Sequence, residues 1–158
     1  MSKPVRNSHP SSARAIARTF FITSKTFQGQ ALLQSERMAM LLIDVLRAHV
    51  SARRFGVHDF VVMPDHLHVS LTVNQSMSIE KAVQFIKGGF SYRARKELGY
   101  QGEIWQRGFT EVRILNRRSF LEHRNYIDQN PVEAGLAESP EEYPYGSAYL
   151  KKQKRTGG

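Results

Sequence analysis

Leu67, Val69, Leu71 and Val73 alternate with His66, His68, Ser70 and Thr72. A period of two predicts a strand with one apolar face on a core. The run before it, Asp59-Phe-Val-Val-Met63, predicts a partner strand, with a tight hairpin turn at Pro64-Asp65 between them. Upstream, Arg18–Ser24 is dense in aromatic and β-branched residues and predicts another strand. Elsewhere the period lengthens. Ala39, Leu42, Ile43, Leu46 and Val50 form the stripe of a helix that starts at a Ser35 cap and runs to about Arg53, with Arg37, Asp44 and Arg47 pointing away. Ile79, Val83, Ile86, Phe90 and Ala94 mark a second helix, capped by Ser78 and stopped by Gly99. Gly88-Gly89 in its middle costs up to about 1 kcal/mol per residue relative to alanine. That cost calls for the close approach of another backbone or a local kink. Glu103–Gly108 reads as a turn or short bridge, and Phe109–Leu115 as a strand. Asn116 caps a last long helix from Arg117, which Pro131 is expected to end at or just before Asn130. A short turn over Val132–Gly135 and a tail containing Pro and Tyr follow.

The order β-α-β-β-α-β-α matches the split βαβ arrangement of ferredoxin-like folds. The fold class is α+β: an antiparallel sheet with helices on one face, and an added C-terminal helix that carries Tyr126. One domain is expected over residues 16–150, preceded by a disordered basic arm over 1–15 and followed by a basic tail over 151–158.

Charge narrows the partners. The 158 residues carry 23 Lys and Arg against 14 Asp and Glu, a formal charge of +9. A domain this basic usually meets a polyanion, nucleic acid first among them; the bland alternative is a charge that serves solubility alone. The absence of cysteine excludes disulfides and thiolate metal sites. The longest apolar run, Met38–Ile43, stops at Asp44, far short of the about 18 residues a membrane span needs. No secretory signal is visible, and a cytoplasmic location with no membrane partner is expected.

Candidate chemistry lies in two places. His66 and His68, at i and i+2, share a strand face, where two imidazoles can bind one metal ion or can simply be solvated. Tyr126 and Asn130, at i and i+4, share a helix face; taken alone, Tyr126 is better read as a ring packed on the helix edge. Ile127 and Phe120 are the better candidates for that helix's buried stripe.

Three stretches occur in order: Met63-Pro-Asp-His-Leu-His68, Ile104-Trp-Gln-Arg107 and Tyr126-Ile-Asp-Gln-Asn-Pro-Val-Glu-Ala-Gly-Leu136. With them the chain resembles the REP-associated tyrosine transposases, within the larger His-hydrophobic-His group of single-strand transposases. The resemblance runs from about Thr19 to Tyr149. It implies an enzyme that cuts and joins single-stranded DNA beside imperfect hairpins, as monomer or homodimer, with magnesium or manganese as cofactor. By motif position it implies His66 and His68 as metal ligands and Tyr126 as nucleophile. Asn130 falls where the wider group places a third polar ligand, often glutamine. Thr110 and Val112 depart from the pattern, because many relatives carry histidine on that strand.

These residue types suit the chemistry. A tyrosine oxygen can attack phosphorus and store the phosphodiester as a 5′-phosphotyrosine, and a divalent ion can polarise the phosphate. Ligand types alone leave zinc open as well. A phenol needs help to lose its proton, and the sequence names no base. For contact with DNA the candidates are Lys87, Arg93, Arg95, Arg107, Arg113, Arg117 and Arg118, with the basic run Lys151–Arg155. Trp105 is a base-stacking platform or a core anchor. Three rival functions remain: a domesticated, nonenzymatic hairpin-binding protein, a nuclease that uses water as nucleophile, and a structural protein with an incidental histidine pair.

Overall fold

The structure, a computed structural model, describes residues 17–157, so the arm expected over 1–15 lies outside the described residues. Four strands, β1 (Arg18–Lys25), β2 (Gly56–Met63), β3 (His66–Val73) and β4 (Thr110–Ile114), form one antiparallel sheet in the order β2-β3-β1-β4. Helix α1 (Glu36–Ser51) joins β1 to β2, and α2 (Ile79–Leu98) joins β3 to β4. This is the α+β, ferredoxin-like arrangement that the order of elements implies. Two further helices follow, α3 (Arg117–Glu133) and α4 (Ser147–Thr156).

The helices start where their caps predict. Ser35, Ser78 and Asn116 each accept a hydrogen bond from the backbone N–H three residues on. The apolar stripes of α1 and α2 fold onto one face of the sheet, with Phe20, Ile22, Leu67, Val69, Leu71 and Val73 beneath them. Val50 leaves the expected stripe: it lies in the last turn of α1 and is exposed. α2 runs unbroken through Gly88-Gly89. The close neighbour is a side chain and not a backbone, since a Cβ on Gly89 would stand 3.1 Å from His49 Nε2 of α1, whereas one on Gly88 would meet nothing within 4 Å.

α3 covers the opposite face of the sheet, over a smaller core of Phe21, Val61, Met63, Ile114, Ile127 and Tyr143. It does not stop at Asn130 but continues through a buried Pro131 to Glu133. A proline here forfeits one backbone hydrogen bond and crowds the carbonyl one turn back, a cost that burial of its ring helps to offset. The stop is set at Gly135, whose φ of 74° is left-handed. Gly135 N–H donates to Val132 O at 3.0 Å and Leu136 N–H to Pro131 O at 2.8 Å, the paired bonds of a Schellman ending.

The segment read as a tail is also ordered. Residues 143–147 lie along the outer edge of β2: Val62 N–H donates to Tyr145 O at 2.8 Å, and Tyr143 Oη–H donates to Val62 O at 2.6 Å. Ser147 Oγ pairs with both Phe60 N–H and Phe60 O. An edge strand covered in this way cannot pair with another chain. α4 follows and takes up the whole basic run Lys151–Arg155. Among the described residues no helix is long and apolar enough to cross a membrane.

Candidate active site

The hairpin turns at Pro64-Asp65 as predicted, with Met63 paired to His66. From there the strand pleat sends Leu67 and its alternates into the larger core and turns His66, His68, Ser70 and Thr72 toward α3. Neighbouring strands extend this second face. His66 stands opposite Lys25, His68 stands between Thr23 and Val61, and Ser70 stands between Phe21 and Asp59.

The two imidazoles lie edge to face, with centroids 4.5 Å apart and planes at 72°. Each is held by its Nδ1. Asp65 Oδ1 accepts from His66 Nδ1 at 2.7 Å, and Thr23 Oγ1 lies 2.8 Å from His68 Nδ1. With Nδ1 engaged, Nε2 of each ring is the nitrogen left for a ligand, the arrangement in which a carboxylate or hydroxyl behind a histidine orients it toward a metal. His68 is buried, and burial first, then the neighbouring His66 and Lys25 charges, push its pKa down to about 3. Its ring is therefore neutral, with a lone pair available, across the ordinary pH range. Among the described residues no group of three or more His, Asp and Glu converges as a metal cluster. Any third protein donor must be of another type, such as the Asn130 amide, which is half-buried on α3.

Tyr126 stands over this pair. Its ring meets His68 edge to face, with centroids 5.3 Å apart and planes at 66°, yet the residue is 49% exposed. Phe21 is the shared floor: its ring lies 5.2 Å from His68, 5.8 Å from Tyr126 and 4.8 Å from His123. His123, one turn before Tyr126, donates from Nδ1 to Ser119 O at 2.8 Å. The register of α3 on the sheet is held by a buried carboxylate. Asp59 accepts from Arg124 Nε at 3.0 Å on both oxygens and from Lys151 Nζ at 2.8 Å, tying β2 to α3 and α4 together.

His66, His68, Tyr126 and Asn130 thus come from two elements distant in sequence and lie on one face of the sheet. The DNA-contact candidates scatter. Lys87 Nζ donates to the carbonyls of Gln106 and Gly108 at 2.9 and 2.8 Å, and burial lowers its pKa. Arg93 is paired with Asp44 and Glu97. Arg95 donates to Gly102 O, and Arg113 lies over the Phe20 ring on the α1/α2 side. Trp105 is half-buried against Phe90 and donates its indole N–H to Lys87 O at 3.1 Å, the geometry of an anchor. Arg107 lies in the loop before β4, close to the histidine face, while Arg117 and Arg118 are exposed at the start of α3.

Sequence reasoning passes over Phe21, Thr23, Asp59 and His123. Only Asp65 has a local signal, as the residue beside His66 in the turn. The others enter through cross-strand register and the docking of α3, which no local pattern encodes.

Comparison with known proteins places the chain as a whole. The model of the family "Transposase IS200 like" matches residues 26–130. A REP-associated tyrosine transposase of Escherichia coli K12 is 25% identical, over 82% of this chain and 75% of that protein. A Haemophilus influenzae protein, named provisionally as a REP-associated tyrosine transposase, is 27% identical over 54% of each chain, so this chain spans about half the length of that relative. The structure of a REP-associated tyrosine transposase bound to a REP hairpin superposes with a TM-score of 0.66 at 25% identity, covering 95% of this chain and 84% of the other. With its matched segment running from the end of β1 to Asn130, across the hairpin, both histidines and Tyr126, the chain belongs to the IS200-like transposase family.

Proposed function

We propose that this protein nicks and rejoins single-stranded DNA beside hairpins, through a covalent link between Tyr126 and a 5′-phosphate. The observation that carries this reading is the placement of Tyr126. Its half-exposed ring stands 5.3 Å from the buried, neutral His68, on the face that also presents His66. The Tyr126 Oη attacks phosphorus, the P–O3′ bond breaks, and the leaving 3′ oxygen takes up a proton as a 3′-hydroxyl. The ester keeps the bond energy of the phosphodiester. A 3′-hydroxyl can therefore reverse the step, join the strand and release the phenol without a nucleoside triphosphate.

The donor set fits a divalent cation. Two imidazoles with Nδ1 already engaged would hold it through Nε2, with Asn130 Oδ1 as a third donor, and magnesium or manganese is the expected ion. When bound, such an ion supplies charge that polarises the scissile phosphate. The protein's own part is to fix both rings through Asp65 and Thr23, and to hold Tyr126 at the solvent edge through Phe21 and the Asp59–Arg124 link. The REP hairpin bound to the structural relative supports a hairpin with a single-stranded flank as substrate.

The test is a denaturing gel of labelled hairpin with a single-stranded flank, incubated with manganese. Wild type should yield a covalent protein–DNA adduct. Tyr126→Phe should bind the hairpin and yield neither adduct nor cleavage. Cleavage without adduct would mean water attack and would overturn the proposal, and so would hairpin binding by wild type with no cleavage at all.

A further inference from the structure

Beside the histidine pair lies a cavity of about 250 Å³ that the chemistry above does not use. Thr23, Lys25 and Thr110 line one wall, from strand positions on the α3 side of the sheet, and Gln106, Arg107 and Phe109 line the other. It adjoins the metal-binding face directly. Thr23 both lines it and holds His68 Nδ1 at 2.8 Å, and Lys25 is the cross-strand partner of His66.

The cavity is built rather than incidental. Its loop wall is fixed by Lys87 Nζ, which donates to Gln106 O and Gly108 O, and by Gln106 N–H, which donates to Lys25 O at 2.9 Å. The indole N–H of Trp105 donates to the Lys87 backbone carbonyl and pins the base of that loop. Lys87 is thereby spent inside the fold. The cations that line the cavity are Lys25 and Arg107, and neither is in an ion pair among the described residues. A preformed cavity with two uncompensated cations, threonine hydroxyls and one aromatic ring has the chemistry to take a phosphodiester together with an unpaired base. It is too small for duplex, whose bases are in any case stacked away from such a wall.

We propose that this cavity seats the single unpaired nucleotide next to the scissile phosphate, with its own phosphate against Lys25 and Arg107 and its base against Phe109. Filling it aligns the strand across His68 toward Tyr126. The inference rests on the strand-nicking reading for which phosphate is cut, but its test is a binding measurement that needs no cleavage.

Tyr126→Phe protein is titrated with a hairpin bearing a single-stranded flank, and each linkage of the flank is replaced in turn by a neutral methylphosphonate. Fluorescence anisotropy at fixed salt reads the affinity. One linkage should cost about tenfold, the loss of a charge-assisted contact. That cost should vanish in Tyr126→Phe carrying Lys25→Ala and Arg107→Ala, and persist with Arg47→Ala, an exposed cation on α1. An abasic substitution at the same nucleotide should weaken binding, and Phe109→Ala should remove that effect. An equal cost in the doubly substituted protein, or no sensitive linkage, including no binding at all, overturns the proposal. Failure of the wild-type adduct assay alone would remove the tyrosine chemistry and leave this seat standing.

Discussion

The two faces of the sheet are built on opposite principles. Toward α1 and α2 the layer is almost wholly apolar, and Leu42, Val69, Leu71, Val73 and Phe90 are fully buried. Toward α3 the same strands bury His68, Ser70 and Asp59 beside Phe21 and Val61. Burying polar groups costs free energy unless each is paired, and here most are: His68 by Thr23, Asp59 by Arg124 and Lys151. Ser70 Oγ alone among the buried side-chain polar atoms described has no partner. The first face supplies stability, and the second spends some of it to hold a neutral imidazole and a tyrosine at fixed positions. A face that is polar yet satisfied is therefore the better pointer to chemistry than the largest core.

Substitutions that strike one face at a time should separate these roles. The largest contrast is all-or-none. Calorimetric titration of manganese should give a binding heat with wild type and none with His66→Ala/His68→Ala, whereas a variant in the apolar layer should retain it. In that layer, Phe90→Ala should lower the unfolding free energy by about 3–5 kcal/mol, read by urea denaturation, because the cavity left between α2 and the sheet cannot collapse.

On the other face, Asp59→Ala should cost less, about 1–3 kcal/mol. The side chains of Arg124 and Lys151 are 37% and 45% exposed and regain water when the carboxylate is gone. Adduct formation should fall further than stability does, since α3 loses its tie to β2 close to Tyr126.

A further effect is tied to pH. In the unfolded chain an imidazole titrates near 6.5, and in the folded protein His68 titrates at about 3. Between those values the unfolded state binds a proton that the folded state refuses. His68 should therefore make the stability measured in chelator fall as pH drops below about 6.5, contributing at most about 1.4 kcal/mol per pH unit, with its contribution levelling off near 3. His68→Gln should flatten this limb, leaving the part due to the other shifted groups, among them His49 and His58, whose pKa values burial also lowers. An unchanged limb would show that His68 is not held neutral. The smallest effect lies in α2: Gly88→Ala should stabilise by about 0.5–1 kcal/mol, while Gly89→Ala should gain nothing, since its Cβ would press on His49 Nε2 at 3.1 Å.

Periodicity and caps alone determine much of this protein. The alternation Leu67–Val73 sets the pleat that separates the histidines from the core, and Ser35, Ser78 and Asn116 set three helix starts. Such signals are local, because each rests on a few residues and their own backbone. The end of α3 shows where local rules compete. Pro131 reads as a stop, but burial of Ile127 and Pro131 and the Schellman bonds around Gly135 carry the helix past it. The helical form of Ser147–Thr156 is hidden for a related reason: its N-terminal half is anchored through Ser147 to Phe60 and through Lys151 to Asp59, partners far away in the chain. Tertiary structure alone decides that α3 docks on the histidine face, that Phe21 floors Tyr126, His68 and His123, and that Thr23 stands behind His68. Each of these depends on strand register and helix docking, which join residues tens of positions apart and leave no period in the sequence to read.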